Sequence, residues 1–398
     1  MKIGAFYFFL PYILGDMFKC SLCGNEDSRY IGYKNGQPYC RRCIVFSGIS
    51  ATENNLKSYQ SKLVLRYKLS PEQIEASTRI TRAIKDKRNV LINAVCGAGK
   101  TELVFEVIKE ALIAGKQVGF AIPRRDVVIE IHKRLKSVFP RNKIVAVYGG
   151  NNEDLQGEII VLTCHQLYRY EHYFDLLIMD ETDAFPFHGD MVLEAMFKRS
   201  CKGNFIMMSA TLSASKISKF KATGGEVIAI DKRYHGYPLP LPNIVLMLGI
   251  LKHFFLIRKL RLFISQNKPV FIFAPTISKC EDLSSFVTKW VRGGTFVHSK
   301  RENRQEIIND FRKGEYKYLV TTAVLERGVT IKNLQVIVFE SDHKIYTTSA
   351  LIQIAGRVGR KKDAPEGEVI FLSDKKTIWM DEALREIRDK NKTLSPVL

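Results

Sequence analysis

The chain has 398 residues, 46% of them hydrophobic, which suits two or three folded domains and excludes a disordered or collagen-like polymer. Its 61 Lys and Arg against 41 Asp and Glu leave a net charge of +20, which favours a polyanionic partner, either nucleic acid or an anionic membrane surface. The apolar stretch 3–14 is about half the length needed to cross a bilayer and contains Pro11, so it reads as a buried or interfacial leader strand within residues 1–19.

The first patterned segment is Cys20-x2-Cys23 followed by Cys40-x2-Cys43, with sixteen residues between the pairs. That spacing predicts a tetrathiolate zinc module over residues 20–50. A unit of this size has too little core to fold alone, so bound Zn2+ would supply most of its stability. The other four cysteines, Cys96, Cys164, Cys201 and Cys280, show no such pairing and read as reduced thiols of a compartment that contains ATP. Residues 51–68 are a connector.

The apolar run 89–95 suits a buried strand, and 102–114 has apolar residues at helical spacing. Between them stands AVCGAGKT, residues 94–101. A strand feeding a helix through Gly97 and Gly99 aims backbone N–H groups and the positive helix end at phosphates. Lys100 then reaches the β- and γ-phosphates of ATP, and the Thr101 hydroxyl ligates Mg2+. The loop opens with Ala94 where the usual pattern has Gly, so its first turn must avoid positive φ or be built differently. Strand patterns follow at 118–122, 144–148, 159–162, 176–179, 205–208 and 227–230, with a helical face at 127–138, and together they predict a doubly wound parallel sheet. The strand at 176–179 ends in DETD, residues 180–183. Carboxylates at that edge divide labour: Asp180 holds Mg2+ through water and Glu181 polarises the attacking water.

In residues 233–243 three prolines within five positions break both periodicities and mark a linker. Residues 250–264 are basic and strongly apolar, and read as the first core-packed helix of a second lobe. Strand patterns at 270–273, 295–297, 318–320, 336–339 and 369–372 repeat the alternation without a second phosphate loop. The predicted domains are thus 69–232 for the first lobe, 233–243 for the linker and 244–398 for the second lobe, with ATP gripped between the lobes.

With these motifs in place, residues 69–374 resemble the superfamily 2 helicase ATPases. LSPEQ at 69–73 resembles the Q motif, SAT at 209–211 motif III, and QIAGRVGR at 353–360 motif VI. The resemblance implies an α/β fold of two tandem RecA-like parallel-sheet lobes beside the zinc module. It implies that Gln73 reads the adenine edge and that Arg357 and Arg360 are arginine fingers. It also implies a strand track in which Pro123 and Arg124 match motif Ia, Thr163, His165 and Gln166 motif Ib, Thr276 the motif IV region, and Thr321 and Thr322 motif V. Such loops grip phosphates without reading bases.

DETDAFPF at 180–187, LERGVT at 325–330 and the four-cysteine module together resemble the late-competence ATPase family ComFA of Gram-positive bacteria. That resemblance implies an ATPase stimulated by single-stranded DNA that powers DNA import during natural transformation, with the channel ComEC and the phosphoribosyltransferase-like ComFC as partners. It implies a cytoplasmic protein, with peripheral attachment to the inner membrane face and a homo-oligomer both admitted. Thr330 stands where many helicases carry an acid. The alternative is a replication-restart or repair helicase of the same superfamily, and a zinc adaptor with a relic ATPase fold is a third reading.

Overall fold

The computed structural model describes residues 18–52, 61–325 and 329–392. The leader stretch 3–14, residues 53–60 of the connector, and residues 326–328 of LERGVT lie outside that description.

The amino-terminal module is a short turn, Ser28–Tyr30, and a hairpin of β1 (Ile31–Lys34) and β2 (Gln37–Cys40). Asn35 and Gly36 both take positive φ at its tip, the two-residue turn that matches strand twist. The first lobe follows in chain order as α1 (Pro71–Lys85), β3 (Val90–Ala94), α2 (Lys100–Leu103), α3 (Phe105–Ile113), β4 (Val118–Ile122), α4 (Arg125–Val138), β5 (Ile144–Val147), β6 (Ile159–Thr163), β7 (Phe174–Met179), α5 (Met191–Ser200), β8 (Cys201–Ser209), α6 (Ala214–Ala222) and β9 (Glu226–Ile230). Its seven strands form one sheet in the order β5-β6-β4-β7-β8-β3-β9, and each pairing is parallel. Strands buried on both faces carry near-continuous apolar runs, as β4 and β6 do along their whole length.

The second lobe contains β10 (Asn243–Leu246), α7 (Ile250–Ser265), β11 (Val270–Phe273), α8 (Ile277–Trp290), β12 (Gly294–Val297), α9 (Arg304–Lys313), β13 (Tyr318–Thr321), β14 (Gln335–Phe339), α10 (Thr348–Ala355), β15 (Val369–Ser373) and α11 (Ile378–Lys392). Its sheet is parallel in the order β10-β15-β14-β11-β13-β12. Helix α7 packs Leu256, Ile257, Leu260 and Phe263 inward, as its apolar spacing predicts, and Lys252 on the same face pairs with Asp374 at 2.7 Å. The edge strand β10 has no counterpart among the predicted strands. It has a single neighbour and half-exposed residues, so it lacks the apolar run that marks its central neighbours, and it begins at Asn243, the last residue of the predicted linker.

Parallel order decides where chemistry can occur. Strands β3 and β7 flank β8, so the loops after these three strands, which carry AVCGAGKT, DETD and SAT, emerge side by side at one carboxyl edge. One apolar cluster holds buried side chains from both sheets, Ile92 and Ile178 of the first and Phe271 and Val336 of the second among them.

Candidate active site

Helix α1 begins with a reciprocal cap: Ser70 Oγ accepts from the Gln73 N–H and Gln73 Oε1 accepts from the Ser70 N–H, with Pro71 supplying the fixed φ of the first helical position. The cap fixes the buried Gln73 amide, whose Nε2 donates to Ala98 O in the phosphate loop at 2.8 Å. Ala94 ends β3, paired with Ile230, and the positive φ values fall at Gly97 and Gly99 instead. The loop therefore turns without a glycine at its first position. A Cβ at Gly99 would run into Gln73 Nε2, so both the conformation and the space there require glycine. Lys100 Nζ lies back on Ala94 O at 3.3 Å.

A cleft of about 620 Å³ separates the lobes, within the size range of nucleotide and drug-sized sites. It gathers Gln73, Gly97, Gly99, Lys100, Thr101, Asp180 and Glu181 from the first lobe and Arg357 and Arg360 from the second. Asp180 is buried, and its Oδ1 accepts from the Glu181 N–H at 2.8 Å. Glu181 itself has φ 57, a left-handed conformation uncommon for a glutamate, so the acid is held by a strained turn at the strand end. Thr101 in the first turn of α2 and Asp180 are the oxygen donors that suit Mg2+ beside a phosphate loop.

Several residues at this site carry no motif signal in the sequence. Tyr67 donates its hydroxyl to Glu102 Oε1 at 2.8 Å, and Arg134 pairs with the same carboxylate, closing one end of the cleft. Glu130 of α4 also lines the cleft, and burial, then the Glu181 charge, raise its pKa while Arg312, Arg357 and Arg360 oppose the rise. Arg233 is 3% exposed and donates to three carbonyls of the turn after α10: Val358 at 2.9 Å, Gly359 at 2.8 Å and Gly356 at 3.2 Å. Burial, then the neighbouring Arg360, lower its guanidinium to about 10, so it stays charged at neutral pH. A Cβ on Gly97 would touch the Arg233 stem at 3.5 Å, and one on Gly356 would meet Cys96 Cβ at 2.6 Å. The phosphate loop and the turn that carries the expected arginine fingers are thus in contact, with Arg233 between them. Arg357 donates to Val329 O at 2.7 Å and Arg360 Nε to Gly356 O at 3.0 Å.

The lobes are latched by the last acid of DETD. Asp183 Oδ2 accepts from Thr211 Oγ1 of SAT and from Gln353 Nε2 of QIAGRVGR, each at 2.7 Å. Arg124, after β4, donates to Ala323 O of the second lobe at 3.2 Å, and Arg304 pairs with Asp126.

The residues matched to the strand track lie outside the nucleotide cleft, at the carboxyl edges of β4, β6, β11 and β13. Pro123 is buried and Arg124 half-buried. Thr163 is buried at the start of a 3-10 turn, Cys164–Arg169, while His165 is exposed and Gln166 Oε1 accepts from Arg169 Nε at 2.6 Å. Thr276 is the N-cap of α8, its hydroxyl accepting from the Lys279 N–H at 3.2 Å. Thr321 is fully buried and donates to Thr322 O at 3.1 Å.

The four module cysteines gather in space, their sulfurs all within 4.8 Å, with Cys20 to Cys43 and Cys23 to Cys40 each 3.8 Å apart. Tetrahedral Zn2+ with bonds of about 2.3 Å places its sulfurs about 3.8 Å apart, so the donor set fits. Burial pushes the Cys23 thiol up to about 11 and Cys43 higher still, and a bound dication would reverse that by stabilising the thiolates.

Two sequence-family models match the chain: the type III restriction enzyme res subunit over residues 66–213 and the helicase conserved C-terminal domain over residues 252–362. Dbp5 of S. cerevisiae, solved bound to RNA and ADP BeF3, shares the fold with a TM-score of 0.62 at 16% identity, over 82% of this chain and 93% of that one. Two parallel-sheet lobes with a phosphate loop on one and an arginine turn on the other, carrying both helicase domains, define an ATP-hydrolysing superfamily 2 helicase or translocase. The competence protein ComFA of Bacillus subtilis (strain 168) is 34% identical over 96% of this chain and 87% of its own length, and ComFA of Streptococcus pneumoniae (strain ATCC BAA-255 / R6) is 33% identical over 90% and 86%. The chain belongs to the ComFA family.

Proposed function

We propose that the chain is an ATP-driven single-stranded DNA translocase that powers DNA import during natural transformation. The observation that carries this is the single cleft that gathers Gln73, Gly97, Gly99, Lys100, Thr101, Asp180 and Glu181 opposite Arg357 and Arg360 in a ComFA-family chain. Gln73 meets the adenine edge, the 97–101 backbone and Lys100 hold the β- and γ-phosphates, and Thr101 and Asp180 hold Mg2+, which neutralises phosphate charge when bound. Glu181 takes a proton from the water that attacks the γ-phosphorus, and the bond from that phosphorus to the bridging oxygen breaks to leave ADP and phosphate. Arg357 and Arg360 exchange their backbone carbonyls for phosphate oxygens as that charge develops.

Pro123, Arg124, Thr163, His165, Gln166, Thr276, Thr321 and Thr322 hold the strand along both lobes, and the four cysteines hold Zn2+. ComEC and a ComFC-like protein are the partners that the family implies. Among the described residues no helix is long and apolar enough to cross a membrane.

The test is ATP turnover at one stated salt concentration with no nucleic acid, single-stranded DNA, duplex DNA and RNA, alongside strand displacement on a long duplex. Stimulation by single strands without displacement is expected. Efficient unwinding of long duplexes favours the repair-helicase alternative, and stimulation by RNA alone overturns the DNA assignment.

A further inference from the structure

The zinc module is fastened to the strand-gripping turn of the first lobe. Its last segment, residues 46–51, runs along the turn that follows β6: the Ala51 N–H donates to Arg169 O at 2.9 Å, Tyr168 donates its hydroxyl to Ser47 O at 2.8 Å, and Arg169 Nη1 donates to Ile49 O at 2.6 Å. The Phe46 ring lies near-parallel to His165, with centroids 6.2 Å apart and planes at 25°, and tilts against Tyr168 at 6.0 Å. Cys20, Cys40 and Cys43 share one apolar cluster with Leu167, Tyr168 and the outer face of the first sheet. Because β6 is the immediate neighbour of β4, this turn stands beside Pro123 and Arg124.

We propose that residues 46–49 and the turn 163–169 form one composite contact for an unpaired base of a single-stranded nucleic acid, with the Phe46–His165 stack as its platform. The proposal rests on the translocase reading and gives the zinc module a part in it. The loops after β4, β11 and β13 offer hydroxyls, N–H groups and a guanidinium, which suit phosphates. A strand so held turns its bases away from those loops, and an aromatic face accepts any base, which a motor without sequence preference requires. His165 is exposed to solvent and the Phe46 ring stacked beside it is half-buried, so the pair is reachable from solvent at its imidazole end. Partial desolvation against its neighbours holds the His165 imidazole below its ordinary value, against an opposing charge from Asp190, which favours the uncharged ring as a π surface. The zinc then acts at a distance, by keeping the segment that carries Phe46 folded against the turn.

The experiment measures binding of a fluorescein-labelled fifteen-nucleotide oligo-dT by anisotropy, without ATP, to the zinc-loaded wild type and to Phe46→Ala, Phe46→Leu, Phe46→Trp and His165→Leu. Zinc content and melting temperature are read on each. Stacking on one base predicts Kd raised about tenfold in the Ala and Leu variants and wild-type Kd in the Trp variant. Each Leu variant keeps apolar packing without a π face, so its loss of affinity at wild-type zinc content and melting temperature separates stacking from folding. Wild-type affinity in either Leu variant overturns the platform while leaving the translocase intact. Absence of oligo-dT binding by the wild-type chain overturns the translocase reading and this contact with it.

Discussion

At the scale of single residues, the proposed mechanism assigns charge compensation and water activation to different side chains of the cleft. Lys100→Ala removes the mobile cation from the phosphate loop and is expected to lower ATP turnover about 100-fold or more, because such a charge acts in a water-poor site. Glu181→Gln keeps the side-chain volume in the strained turn after β7 but cannot take a proton. Its turnover should fall comparably while affinity for a fluorescent ATP analogue changes less than about threefold. Parallel losses of affinity in both variants would show that Glu181 is a structural acid. The cysteines divide as clearly. Burial pushes Cys164 to about 12, Cys201 to about 11 and Cys280 to about 12, so each gains thiolate only as pH approaches those values and stays protonated at pH 8. Cys96 is half-exposed and lines the cleft. Iodoacetamide on the zinc-loaded chain at pH 8 should therefore modify Cys96 first, with ATP slowing the reaction, as read by peptide mass mapping. Labelling of Cys164 or Cys280 ahead of Cys96 would contradict this.

At the scale of elements, the contacts that make two lobes one machine join residues far apart in the chain, and this decides what the sequence could reveal. Buried central strands such as β4 and β11 carry apolar runs whose ends are marked by the next turn, so residues 118–122 and 270–273 were legible to the residue. The reciprocal cap at Ser70 and Gln73 was visible as spacing within LSPEQ. Thr276 shows the limit of such signals, since a hydroxyl at a strand end serves equally as a helix cap, and here it is one. Asp183 sits in a quoted motif, yet its partner Gln353 is 170 positions away, and nothing local pairs them. Arg233 begins the proline-rich linker, where no periodicity indicates a buried side chain. Its role follows from geometry: a planar fork satisfies three carbonyls of the finger turn at once, which a lysine cannot do. Arg233→Lys should accordingly lower kcat about tenfold while the KM for ATP moves less than about threefold, because the finger turn loses its position and the phosphate loop is kept. A change confined to KM would place Arg233 in nucleotide binding instead. Asp183→Asn tests the latch from the other lobe. Weakening the acceptor shared by Thr211 and Gln353 should reduce strand-stimulated turnover relative to unstimulated turnover about tenfold.

At the scale of the whole molecule, the proposed function requires the same lobe positions to serve two ligands. The loops after β4 and β6 on one lobe and after β11 and β13 on the other lie at the carboxyl edges of their sheets, and Arg124 after β4 meets the loop after β13 by its bond to Ala323 O. Any nucleotide-driven change in lobe spacing therefore changes how many phosphates the track can hold at once. The net charge of +20 could supply contacts several times over, so charge alone does not locate the track, but counterion release counts the phosphates neutralised. With about five phosphates held, the logarithm of the association constant should fall against the logarithm of salt with a slope of about −3.5. Repeating the titration of oligo-dT from 50 to 300 mM KCl with a non-hydrolysable ATP analogue should shift the slope by about 0.7 for each phosphate gained or lost. A slope near zero would remove the phosphate track altogether. Equal slopes with and without nucleotide would mean that lobe closure grips the same phosphates throughout, and that movement along the strand must arise from a change outside the two-lobe seam.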